Sequence, residues 1–73
     1  MARKSDWSQD SDTEWTFNRG GVTAIIELIE DHDSGYAEYH AEVFDDQEPI
    51  SDQWTATLDG AKRFVESVVE GIV

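Results

Sequence analysis

Asp31, Asp33 and Gly35 echo the start of a calcium loop, because alternating carboxylates followed by glycine let oxygens converge on a hard cation. The bidentate glutamate that closes such a loop would have to be Glu42, which falls inside a predicted strand. The stretch therefore reads as an acidic hairpin turn. His32 and His40 would reach a zinc ion together with Asp31 or Asp33, yet they are not at the i, i+4 spacing of a helical histidine pair, and the chain contains no cysteine. An exposed histidine is the commoner case. Carboxylate pairs of the kind a hydrolase uses are abundant, and that abundance makes any single pair uninformative. There is no serine or threonine nucleophile in a recognisable turn, no phosphate-cradling glycine loop and no dinucleotide fingerprint. The expectation is a protein that is not an enzyme and uses no metal or cofactor.

What stands above background is the arrangement of acids. Seventeen Asp and Glu against five Lys and Arg give a formal net charge of -12. Such a field repels nucleic acid and anionic membrane and attracts cations and basic protein surfaces, including the basic grooves in which proteins hold nucleic acid. Glu14, Glu27, Glu30, Glu38 and Glu42 fall on predicted strands, and Asp31, Asp33, Asp45, Asp46, Glu48 and Asp52 on predicted loops. Same-face neighbours on a strand are about 6 to 7 Å apart, comparable with phosphate spacing along a nucleic-acid strand. Ile25, Ile29 and Tyr36 lie among these charges, as at an interface. The candidate partner-binding residues are Glu27, Tyr36, Glu38, His40, Glu42, Asp45, Asp46 and Glu48. The partner they imply is a basic protein surface, most naturally that of a nucleic-acid-binding protein, with no direct contact to nucleic acid or membrane. The competing explanation is solubility or adaptation to a high-salt cytoplasm, since Lys4 and Lys62 are the only lysines.

The elements that carry these residues follow from periodicity. From Thr13 the period is two, with Trp15 and Phe17 on one side and Glu14 and Thr16 on the other, and Asn18 to Gly21 then turn the chain back. Val22 to Glu30 is the central strand, with Val22, Ala24, Ile26 and Leu28 on one face. After the turn at Asp31 to Gly35, Ala37, Tyr39, Ala41 and Val43 alternate with Tyr36, Glu38, His40 and Glu42 in a third strand. Apolar faces must coincide, so Ile26 lies opposite Tyr39 or Ala41; the second register is preferred because it sets Glu27 against His40 rather than against Glu38. Asp45 to Pro49 breaks the chain, and Gln53 to Thr57 reads as an edge strand with Trp54 and Ala56 on one side. Thr57 is a good helix N-cap with Asp59 in the first turn. Leu58, Ala61, Phe64, Val65, Val68, Val69 and Ile72 recur at helical spacing.

The fold expected is α+β: a two-layer domain in which a three- to four-stranded antiparallel sheet is covered on one face by a C-terminal helix, β-β-β-β-α. Its core is Trp15, Phe17, Val22, Ala24, Ile26, Leu28, Tyr39, Ala41, Val43, Trp54, Leu58, Ala61, Phe64, Val65, Val68 and Val69. One helix covers one face, so the other is solvated or is a contact surface. Residues 1–12 read as a flexible polar tail in which Trp7 is idle more often than it is an anchor, and residues 13–73 as the single domain. A chain of 73 residues buries little apolar surface for its size, which makes a homodimer an expectation too. The basic N-terminus runs into Ser and Asp rather than an apolar stretch, and no run is long enough to span a bilayer. A cytoplasmic protein follows, in the host cytoplasm if the protein is viral.

Gly35-Tyr36 after an acidic turn, followed by Thr57-Leu58-Asp59-Gly60-Ala61, resembles elements of HicB-type antitoxins, and the stretch with Ala61, Ser67 and Val68 is similar to small YegP-like domains. Both resemblances imply strand-strand-strand-helix topology, and the first implies a basic ribonuclease toxin as partner. In size and acidity the chain also resembles virus-encoded nucleic-acid mimics, such as anti-CRISPR and anti-restriction inhibitors, which implies inhibition of a nucleic-acid-binding protein.

Overall fold

The computed structural model describes residues 6–31 and 33–72. Strands β1 (Trp7–Ser11), β2 (Glu14–Arg19), β3 (Val22–Asp31), β4 (Tyr36–Asp45) and β5 (Glu48–Thr55) are followed by one helix, α1 (Leu58–Ile72). The strands form a single antiparallel sheet in the order β1-β2-β3-β4-β5, and α1 packs on β3, β4 and β5. This is the expected α+β architecture, with five strands rather than three or four. No helix among the described residues is long and apolar enough to cross a membrane.

Turn chemistry explains the meander. Between Arg19 and Val22 the loop is two residues long, and Gly20 takes a φ of 61° that glycine adopts without steric cost. The β4–β5 loop is equally short, and its central residues Asp46 and Gln47 both sit in the left-handed region, at φ 53° and 71°. Mirror-image hairpin turns require that conformation, which normally selects Asn-Gly. Residues from Asp45 onwards thus reverse the chain tightly instead of ending the sheet.

The register of β3 on β4 sets Ile26 opposite Ala41 and Glu27 opposite His40, as expected. Pleat alternation then gathers Trp15, Phe17, Val22, Ala24, Ile26, Ala41 and Val43 beneath Ala61, Val65 and Val69 of the helix, and all of these are buried. Leu28, Tyr39, Leu58, Phe64 and Val68 pack around that cluster half-buried. Thr57 caps the helix: its Oγ1 accepts the Gly60 N–H at 3.0 Å, and its carbonyl accepts the Ala61 N–H at 3.1 Å.

Two expectations are corrected. Residues 7–11 are a strand and not a flexible tail, because pairing Trp7 with Phe17 and Ser8 with Thr16 satisfies the outer edge of β2 and gives Trp7 a place to pack. The Trp7 ring meets Phe17 edge-on at 5.0 Å, its Nε1 donates to Glu66 Oε2 at 3.1 Å, and Lys62 Nζ lies 5.3 Å from its centroid. The remainder of the expected tail, residues 1–5, and the zinc candidate His32 lie outside the described residues. Trp54 is likewise not a core residue, being 50% exposed. The edge strand starts at Glu48, with a bulge opposite Val43 and Phe44, and its pairing turns Ser51, Gln53 and Thr55 toward the helix side and Trp54 away from it. Pro49 is tolerated because it lies on an edge strand at that bulge.

Candidate functional site

The sheet face opposite α1 is uncovered, and alternation along the paired strands settles which side chains it presents. Asp10, Glu14, Glu27, Asp31, Glu38, Glu42 and Asp52 share it with Ile25, Ile29, Tyr36, His40, Phe44 and Trp54. Among the described residues it carries no lysine or arginine. Arg19 has the parity of Phe17 and so faces the helix side, where its guanidinium bonds Asp6 at 2.8 Å and lies 5.4 Å from the Phe17 centroid. Lys62 and Arg63 are on α1, partly balancing Asp59, Glu66 and Glu70 there. Charge is therefore separated between the layers: mixed in sign on the helix side, purely acidic on the open face.

Two directly paired positions on this face set like charges together, while Glu30, Asp45 and Glu48 take the helix-side parity. Glu14 lies directly opposite Glu27, and Glu42 directly opposite Asp52. Like charges at directly paired positions destabilise a sheet, so the fold tolerates a local cost at both places. His40 is placed between the second pair: its Nε2 is 3.1 Å from Asp52 Oδ2 and its Nδ1 is 3.6 Å from Glu42 Oε1. The His40 ring stacks on Trp54 with centroids 4.5 Å apart. At the far end of the hairpin the Tyr36 hydroxyl donates to Glu38 Oε1, and the Glu38 acceptor and its charge hold the phenol above its usual pKa. Thr16 Oγ1 donates to Asp10 Oδ2, which orients the bulged residue of β1 onto this face.

The calcium-like stretch is a closed turn. Asp31 Oδ1 accepts the Asp33 N–H at 3.0 Å, and Asp31 O accepts the Gly35 N–H at 2.8 Å. The Asp33 amide first, then the Ser34 hydroxyl and amide, hold the Asp31 carboxyl below the usual carboxylate range. Glu42 lies in β4, and no group of three or more His, Asp or Glu among the described residues is placed to hold a metal ion.

Of the residues singled out from the sequence, Glu27, Tyr36, Glu38, His40 and Glu42 come together on the open face. Asp46 joins them at its hairpin end, where it lines a groove over Ile25 and Phe44. Asp45 and Glu48 do not join them, because Asp45 pairs with Val22 and Glu48 with Asp45, which places both on the helix-side parity. Sequence reasoning left Asp52 in a loop and Trp54 in the core. The signal for both was the alternation of Asp52 and Trp54 with Ser51, Gln53 and Thr55, legible once the strand is begun at Glu48.

The arrangement offers an acidic surface studded with exposed aromatic and aliphatic groups. No family model, no curated protein and no solved structure matches the chain.

Proposed function

We propose that this protein is a non-enzymatic binding domain that docks its acidic sheet face onto a basic protein surface, and that it acts in the cytoplasm as an inhibitor occupying a site built for nucleic acid. A phage anti-CRISPR or another nucleic-acid mimic would work in this way. The observation that carries the reading is the separation of charge: the uncovered face holds acids from all five strands and no lysine or arginine among the described residues. Acids serving solubility alone would have no reason to avoid mixing with cations on one face, nor to sit opposite one another at Glu14 and Glu27. Ile29, Tyr36 and Trp54, exposed at 44%, 60% and 50%, supply apolar contacts among the charges.

The test is capture of a nucleic-acid-binding protein followed by competition. Added DNA or RNA should displace the captured partner, and the complex should weaken steeply as salt rises. Replacing Glu27, Glu38 and Glu42 together by lysine should abolish capture while circular dichroism reports an intact fold. A partner that keeps its nucleic acid while bound, or that binds the triple variant fully, would refute the reading.

A further inference from the structure

We infer that the groove at the hairpin end of the open face seats one arginine side chain of the basic partner. This rests on the acidic face being a docking surface and adds the identity of an anchor residue. The groove has a volume of about 470 Å³ and opens between Gly20-Gly21 and Asp46-Gln47, over a floor of Ile25 and Phe44. A β-carbon built on Gly20 or Gly21 would find nothing within 4 Å, so the backbone of that wall is open to approach. The Asp46 N–H donates to Gly21 O at 3.0 Å, which ties the two turns together and sets the width of the groove.

The opposite wall is held in a costly conformation. Asp46 and Gln47 occupy left-handed backbone where Asn-Gly would be relaxed, and both residues line the groove. Strained residues of this kind gather at ligand clamps. Arg19, beside Gly20, does not fill the groove, since its guanidinium is engaged by Asp6 and Phe17 on the other side of the sheet.

An occupant matched to this lining lays an apolar stem on Ile25 and a flat or cationic group on Phe44, and brings several donors to the wall that carries Asp46 and Gln47. Arginine meets each requirement: its planar guanidinium stacks on an aromatic ring and forks onto a carboxylate. Lysine brings a point charge without the plane, an aliphatic side chain would strip water from Asp46 without replacing its hydrogen bonds, and an acidic one is repelled.

Hexa-arginine and hexa-lysine peptides, titrated into the isotope-labelled full chain at low salt, test this. Hexa-arginine should shift the amides of Gly20, Gly21, Phe44, Asp46 and Gln47 and bind about three- to fivefold more tightly than hexa-lysine. Asp46→Asn, which preserves size and suits left-handed backbone, should remove both the shifts and the preference, and Phe44→Leu should remove the preference. Binding with shifts confined to the rows around Glu27, His40 and Asp52, or equal binding of the two peptides, overturns the groove assignment and leaves the acidic face standing. Self-association that shifts the same amides without peptide would make a second copy the occupant, and that too overturns it. Absence of binding by either peptide overturns both readings.

Discussion

Asp31 and Tyr36 are cross-strand partners at the tip of the β3–β4 hairpin, and each is tuned by the residues that follow it. The Asp31 carboxyl is held below its ordinary 3.8 by the Asp33 amide and by Ser34. A depressed carboxyl contributes stability above its unfolded value, and that contribution is lost as pH falls through the folded one. Its carboxyl resonance should therefore titrate below the ordinary aspartate value of 3.8. Tyr36 is the reverse case: its phenol is raised above 10.0 by Glu38, so its contribution is complete below 10.0 and is lost as pH rises through the folded value. Phenol absorbance should show Tyr36 ionising late, and Glu38→Gln should return it to the ordinary range. At the helix N-terminus, Thr57→Ala should cost about 1 kcal/mol by urea denaturation, since the Gly60 N–H loses its acceptor. Gly60→Ala would gain about 1 kcal/mol of helix propensity, but its Cβ would stand 3.1 Å from Thr57 Oγ1. The gain should therefore appear only in the Thr57→Ala background, as a non-additive double-mutant cycle.

Among the elements, β1 has the least of the sheet beneath it and depends most on a single side chain. Trp7 ties it to β2 through Phe17 and to α1 through Glu66 and Lys62. Full burial of a tryptophan is worth about 3–5 kcal/mol against alanine; this one is half-buried, so Trp7→Ala should cost about 2 kcal/mol in a chemical melt. The variant should also free β1 first, visible as fast amide exchange at residues 8–11 while β3 and β4 stay protected. The β2–β3 pairing contains the opposite case, an interaction the fold would be better without. Neutralising Glu14 by Gln removes a like-charge pair and should raise stability by about 0.2–1 kcal/mol while weakening partner binding. A loss of stability instead would mean that the Glu14–Glu27 juxtaposition serves the fold and is no sign of function.

For the molecule as a whole, the consequence of its layout is an electrical asymmetry between two layers. The helix layer mixes signs and the open face does not, so raised salt should act on two properties differently. Partner affinity should fall steeply with ionic strength. The isolated protein should gain some stability as the Glu14–Glu27 and Glu42–Asp52 repulsions are screened, and most of that gain should be complete by about 0.5 M, where the Debye length is already near contact distance. Thermal melts across a salt series measure this directly. A stability that keeps climbing into molar salt would favour adaptation to a saline cytoplasm over docking.

Much of this architecture is legible in the residues themselves. Period-two alternation marks β2, β3 and β4, Gly20-Gly21 and Asp31 to Gly35 mark their turns, and the capped amphipathic run from Leu58 marks α1; the apolar stripes then leave one register of β3 on β4 that keeps Glu27 away from Glu38. Those signals are strong because each is local and each buries apolar surface. What tertiary structure alone decided lies at the two edges of the sheet. β1 has only one large apolar residue, and it becomes a strand because β2 offers it a ladder and α1 offers Trp7 a contact; a segment stabilised by partners distant in sequence leaves little periodicity of its own. β5 turns its aromatic residue outward because its bulge and its run into the helix dictate parity, and an edge strand half in water obeys hydrophobicity only weakly. The gathering of acids from five strands onto one face, with every described lysine and arginine on the other side, likewise follows from pairing, since composition reports how much charge a chain carries and only the register reports where it meets.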